Sequence, residues 1–163
     1  MIDFSLLLRR LHEHRVDFII IGGVAAVIHG SSFLTQDLDI VYQRSDANIA
    51  RLTEALADLD PYLRGVPPGL PFRWSARTIR QGLNFTLTST AGPIDIFGEI
   101  EGGGTYEELL PHTVEITAFG ILCRCLDFPA LIRAKRAAGR TKDLNVVAEL
   151  ETLIEEDKGI SED

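Results

Sequence analysis

Asp37 and Asp39 stand in a stretch of the chain that is otherwise built for burial. Leu38, Ile40 and Val41 around them mark a β-strand, and side chains alternate across a pleat, so residues two apart share one face. The two carboxylates therefore look into one site together. Adjacent acids on a strand of this kind repel unless a cation or a proton lies between them. A bound divalent metal is the economical explanation.

The residues before the pair, Phe18 to Gln36, fill in the surroundings. Phe18 to Ile21 reads as a short strand, Gly22-Gly23 as a turn, Val24 to Ile28 as a short helix, and Gly30-Ser31-Ser32 as a loop. Glycine grants backbone freedom that a Cβ denies. The glycine pair thus admits a close approach by a phosphate, helped by the helix N-terminus that follows. His29, at the end of that helix, reads as a packing residue or C-terminal charge.

The rest of the chain alternates elements. Phe4, Leu7, Leu8 and Leu11 form the apolar stripe of an opening helix, and Ile49, Leu52, Leu56 and Leu59 that of a later one capped by Ser45 or Asp46 and closed by Pro61. Pro61 to Pro71 is rich in proline and glycine and reads as a loop walling a cleft; Trp74 beyond it reads as a packing residue. Leu83, Phe85 and Leu87 alternate with polar residues as in a half-buried strand. Ala91-Gly92-Pro93 then turns the chain into Ile94-Asp95-Ile96-Phe97, a hairpin that returns Asp95 toward the first two acids. Glu99, an even number of residues further on, is a fallback ligand. The run Glu101-Gly-Gly-Gly-Thr lacks the Lys-Ser/Thr of a P-loop and reads as a connector. Thr113 to Ile116 and Phe119 to Leu126 suggest an edge hairpin. Asp127, Pro129 and Gly139 bound one C-terminal helix, and Thr141 starts another. Arg133, Lys135, Arg136, Arg140 and Lys142 form the dense basic cluster of the sequence.

This order predicts an α/β (α+β) fold, a mixed sheet flanked by helices with a helical C-terminal part. One domain over 1–163 is expected, with the sheet and its helices in 1–126 and a helical pair in 127–157. A chain of 163 residues buries enough surface for a core without a metal or disulfide staple. Cys123 and Cys125, two apart on a strand, have neither disulfide nor zinc-ligand geometry and read as reduced structural thiols. Sixteen Lys and Arg against 24 Asp and Glu give a net charge of -8, which opposes broad nonspecific binding to nucleic acid and to anionic membrane. No signal-like or membrane-spanning run is visible, so a cytoplasmic protein is expected.

The run Ile21-Gly22-Gly23, a spacer, then Asp37-Leu38-Asp39-Ile40 resembles the signature of the nucleotidyltransferase superfamily, whose fold is that of the polymerase-beta-like enzymes. Within it the chain is similar to small bacterial nucleotidyltransferase-like proteins, including relatives of AbiEii toxins. The string from Leu131 to Leu144 resembles their C-terminal motif. The resemblance implies a third carboxylate at Asp95, so that Asp37, Asp39 and Asp95 are both catalytic and metal-binding. It implies two magnesium ions, an NTP as substrate, and transfer of the NMP moiety to an acceptor with release of pyrophosphate. The acceptor stays open among tRNA, protein and small molecules, as does the oligomeric state. Gly22, Gly23, Ser31, Lys135, Arg140 and Lys142 are the expected nucleotide contacts. Two positions depart from the pattern: Phe33 stands where relatives often carry Arg, and Val146 where they often carry Asp. The alternative is a catalytically silent nucleotide-binding module, or a partner-binding module of the toxin–antitoxin type.

Overall fold

The computed structural model describes residues 2–161. Helix α1 (Phe4–Glu13) starts where the Asp3 carboxylate accepts from the Leu6 amide at 2.9 Å, and it buries Leu7, Leu8 and Leu11. Strand β1 (Phe18–Ile21) is buried along its whole length. It runs directly into α2 (Gly22–Ile28), so the glycine pair is the first turn of that helix rather than a separate turn before it. Strand β2 (Leu38–Tyr42) follows, then α3 (Asp46–Leu56), capped by the Ser45 hydroxyl.

The proline-rich segment is not all loop, because Tyr62–Leu63 forms a short strand, β3. Beyond it lie α4 (Ala76–Gln81), β4 (Asn84–Thr88) and β5 (Ile94–Phe97). Helix α4 is a single capped turn and a half, with the Ser75 hydroxyl accepting from the Thr78 amide at 3.2 Å. Trp74 donates its indole N–H to the Thr53 carbonyl of α3 at 2.9 Å, so it packs structurally. A small ribbon, β6 (Glu99–Ile100) with β7 (Gly104–Thr105), leads through α5 (Tyr106–Leu109) to the hairpin β8 (Thr113–Ala118) and β9 (Ile121–Leu126). Helices α6 (Phe128–Ala138) and α7 (Thr141–Ser161) form the C-terminal pair, divided by Gly139 in the left-handed region at φ 68°.

Seven strands join in the order β3-β4-β5-β2-β1-β9-β8. β2 runs antiparallel to β1 and parallel to β5, and β1 runs parallel to β9, so the sheet is mixed as expected. The three central strands carry nearly continuous apolar runs because helices cover both of their faces. α1 packs on α3 and β9, whereas α2 packs on β1, β2 and α6. Asn48, fully buried, ties α3 to the strand ends: its amide accepts from the Asp17 N–H at 2.7 Å and donates to the Asp17 and Gln43 carbonyls.

β8 is an edge strand, as the hairpin reading required. Cys123 and Cys125 are buried and unbonded, and burial pushes the Cys125 thiol up to about 12, which leaves it inert. Among the described residues no helix is long and apolar enough to cross a membrane.

Candidate active site

Parallel pairing of β2 with β5 sets Asp39 directly opposite Asp95. Asp37, just ahead of β2, shares the face of Asp39. One carboxylate oxygen from each of the three lies within 4.8 Å of the others. Strand parity and the parallel β2–β5 pairing converge the three acids, whereas the β4–β5 hairpin by itself only sets Asp95 opposite Thr86. Glu99 does not join them, because β5 ends at Phe97 and Glu99 belongs to the separate β6 ribbon.

The electrostatics of the cluster are unbalanced. Asp39 Oδ1 is buried without a hydrogen-bond partner. Burial above all, then the charges of Asp95 and Asp37, push the Asp39 carboxyl up to about 7. The Asp95 carboxyl is also raised by burial, against the opposing pull of Arg64. An unsatisfied buried carboxylate oxygen is costly. A divalent cation relieves it, and the donor set of hard oxygens suits magnesium.

The glycine pair makes room for these acids. Gly22 has φ +67°, and a Cβ there would overlap Asp39 Oδ2. A Cβ on Gly23 would lie 2.6 Å from Thr35 Oγ1. The Thr35 hydroxyl in turn donates to the Asp37 carbonyl at 3.2 Å and so fixes the loop that delivers Asp37. Close backbone approach is therefore required by the site's own side chains.

Two cationic groups flank the acids, one unforeseen. Arg64, just after β3, donates through Nη2 to Asp95 Oδ1 at 2.7 Å, with Asp37 Oδ2 at 3.8 Å, while Nη1 donates to the Leu87 carbonyl at 2.9 Å. Its segment has no periodicity to read, and it reaches Asp95 only because β3 and β4 lie beside β5. The second group is at the α6–α7 junction. Lys135 is buried, with its Nζ 3.4 Å from Asp143 Oδ1, and Arg140 donates to both Asp143 oxygens at 2.6 and 3.3 Å. Asp143, also missed, is the anchor of this group.

Lys135, Arg140, Asp39 and Phe97 line both of two adjoining cavities. The larger, about 360 Å³, runs along Leu131 and Ala134 toward Asn84, Glu99 and Glu101. The smaller, about 170 Å³, holds Gly23, Ser31, Asp37, Asp95 and Lys142. Ser31 is buried and accepts from the Phe33 amide at 3.2 Å, while Ser32 binds Glu149 and so ties this loop to α7. Phe33 is half exposed on the smaller cavity and Val146 is buried in its wall.

No protein-family model matches the chain, and no curated protein matches it in sequence. Solved structures do match it in shape. The chain is similar to the lincosamide antibiotic adenylyltransferase LnuA in its lincomycin-bound form, with a TM-score of 0.59 and 14% identity over 92% of this chain and 97% of that one. It is similar to an antigenic nucleotidyltransferase-like protein from Paracoccidioides brasiliensis, with a TM-score of 0.55 and 16% identity over 91% and 73% of the two chains. A nucleotidyltransferase candidate from Thermotoga maritima gives 0.51 and 16% over 96% and 89%. The fold is that of nucleotidyltransferase-like proteins.

Proposed function

We propose that the chain is a magnesium-dependent nucleotidyltransferase, moving NMP from an NTP to an acceptor and releasing pyrophosphate. The observation that carries this reading is the convergence of Asp37, Asp39 and Asp95 around an unpartnered buried oxygen, within this fold. The three carboxylates would hold two magnesium ions, which when bound neutralise charge on the attacking and leaving oxygens of an in-line displacement. Lys135 and Arg140, at the seam of the two cavities, offset the remaining charge of the triphosphate, with Lys142, Ser31 and the Gly22-Gly23 backbone around it. Asp95 would share the metal site and so help to activate the acceptor hydroxyl.

We infer a small-molecule acceptor in the larger cavity rather than tRNA. A net charge of -8 opposes a polyanion, and that cavity opens beside Asp39 with room for a compact ligand. The lincomycin-bound adenylyltransferase of similar shape supports this acceptor class. A screen of labelled NTPs with magnesium against tRNA, protein and small hydroxylated or amino compounds tests it. Pyrophosphate release with a small acceptor is expected; no release with any acceptor overturns the assignment.

A second reading has one observation in its favour. Arg64 already pairs with Asp95 and lies near Asp37, as in a module that keeps the fold without catalysis, whether binding nucleotide or a partner in the manner of AbiEii-type toxin–antitoxin proteins. Binding of NTP, or capture of a partner, without turnover would favour it.

A further inference from the structure

We propose that Arg64 is the resident counter-cation of the acid cluster and competes with the divalent metal for Asp95 and Asp37, so that metal loading and release of the guanidinium are one exchange. This rests on the reading of the three aspartates as metal ligands. Arg64 is the one cation within 4 Å of those carboxylates among the described residues. Its Nη2 points between Asp95 and Asp37, where a cation shared by the two would lie, and it leaves Asp39 Oδ1 without a partner. Metal and guanidinium thus draw on the same two carboxylates, and the positive charge of each weakens the hold of the other.

The side chain is held for such an exchange. The Arg64 backbone is anchored independently of the acids, its amide donating to the Thr86 carbonyl at 2.9 Å. Nη1 has its own partner in the Leu87 carbonyl, on β4 rather than in the site. Rotation about the side-chain torsions swings the planar guanidinium away from Asp95 as a unit, giving up the Nη1 bond to Leu87 with it, and does so without disturbing β3. Arg64 is 31% exposed, so the freed end turns toward water and is not stranded. Competition of this kind keeps affinity for free metal low and offsets part of the repulsion among the three acids.

The sign of the effect separates exchange from a structural role. If Arg64 only supported the site, its loss would loosen the aspartates and weaken metal binding. Under exchange, loss of both the competitor and a nearby positive charge strengthens it. A charge-assisted hydrogen bond of this type corresponds to about 10-fold in affinity at the lower end.

The experiment is calorimetric titration of the nucleotide-free protein with Mn²⁺ for wild type, Arg64→Gln and Arg64→Lys, with thermal melting at pH 8 alongside. Arg64→Gln is expected to bind Mn²⁺ about 10-fold more tightly than wild type, to melt lower without metal, and to gain more from added Mn²⁺. Arg64→Lys, which keeps the charge but loses the fork that spans Leu87 and Asp95, falls between. A folded Arg64→Gln protein with unchanged or weaker Mn²⁺ affinity overturns the proposal. If that variant does not fold, the wild-type guanidinium is followed by nitrogen NMR during titration with Mg²⁺. An altered Arg64 signal at saturation supports exchange, and an unaltered one overturns it. A protein that binds neither ion loses both this proposal and the metal site. Exchange without pyrophosphate release would leave this inference standing and remove only the proposed transferase activity.

Discussion

Asp39 and Asp143 line the same cavity, and their carboxyls shift in opposite directions. Burial raises Asp39, and the like charges of Asp95 and Asp37 raise it further. Burial also pushes on Asp143, but the Arg140 hydrogen bonds and the Lys135 charge outweigh it, and its carboxyl falls below the ordinary value. The difference is one of partners. Asp143 has a cation on each oxygen, and its bond to Lys135 pins α6 to α7. Asp39 has acids for neighbours and an oxygen with no partner at all. A satisfied buried charge is part of the scaffold, while an unsatisfied one marks a place for a ligand.

The same substitution should therefore act oppositely at the two positions. Asp39→Asn removes a proposed metal ligand, and its cost in metal-dependent pyrophosphate release should exceed the roughly 10–100-fold seen for residues one shell further out. Without metal, however, it removes like-charge repulsion, so at pH 8 the variant should melt above wild type. Asp143→Asn should do the reverse in melting experiments. It leaves buried Lys135 without its counter-charge, at a cost of about 2–3 kcal/mol, the exposure of Arg140 keeping it below a fully buried break. Melting points that move in the same direction for both variants would end the contrast drawn above.

Gly22→Ala tests whether the glycine serves the acid. Its φ of +67° and the overlap of a Cβ with Asp39 Oδ2 act together, and strained backbone of this sort costs about 1–3 kcal/mol. Because the displaced atom belongs to a proposed metal ligand, Mn²⁺ affinity should fall about 10-fold, beyond what the loss of stability explains. Calorimetry showing wild-type affinity in the folded variant would reduce Gly22 to a packing residue.

How these parts were legible from sequence follows the same division. Asp37 and Asp39 declare themselves through strand parity, because period-two alternation is a local property, whereas Asp95 is picked out by the family resemblance and joins them through the long-range β2–β5 pairing. The helix caps at Asp3, Ser45 and Asp127 are local too. Arg64 was hidden for the opposite reason. Nothing in a proline- and glycine-rich segment shows that Tyr62–Leu63 pairs with β4 and so brings the next residue to β5. Asp143 looked like one more charge on a helix, since only the packing of α6 on α7 closes it against Lys135. Glu99 misled because parity was extended through Gly98, where the strand had already ended. Helix α4 is too short for an apolar period to appear.

The pH dependence offers the finest test of the two aspartates. The folded Asp39 carboxyl lies near 7 against an ordinary value of 3.8, so the folded protein holds a proton that the unfolded chain has lost. Stability from this group is fully present below about pH 4 and is lost as pH rises to about 7. Asp95, raised in the same direction and facing Asp39, titrates with it as a pair. Asp143 has the other sign: lowered in the fold, it contributes stability at neutral pH that is lost in acid, below its ordinary value. Melting of the metal-free protein should accordingly show two limbs, a rise with pH in the acid range and a decline from about pH 4 to pH 7. Asp39→Asn should abolish most of the decline and keep the acid limb. Metal binding needs ionised Asp39, so Mn²⁺ affinity should be about 10-fold weaker at pH 6 than at pH 8. An affinity flat over that range would mean that Asp39 does not change protonation there or takes no part in binding the metal.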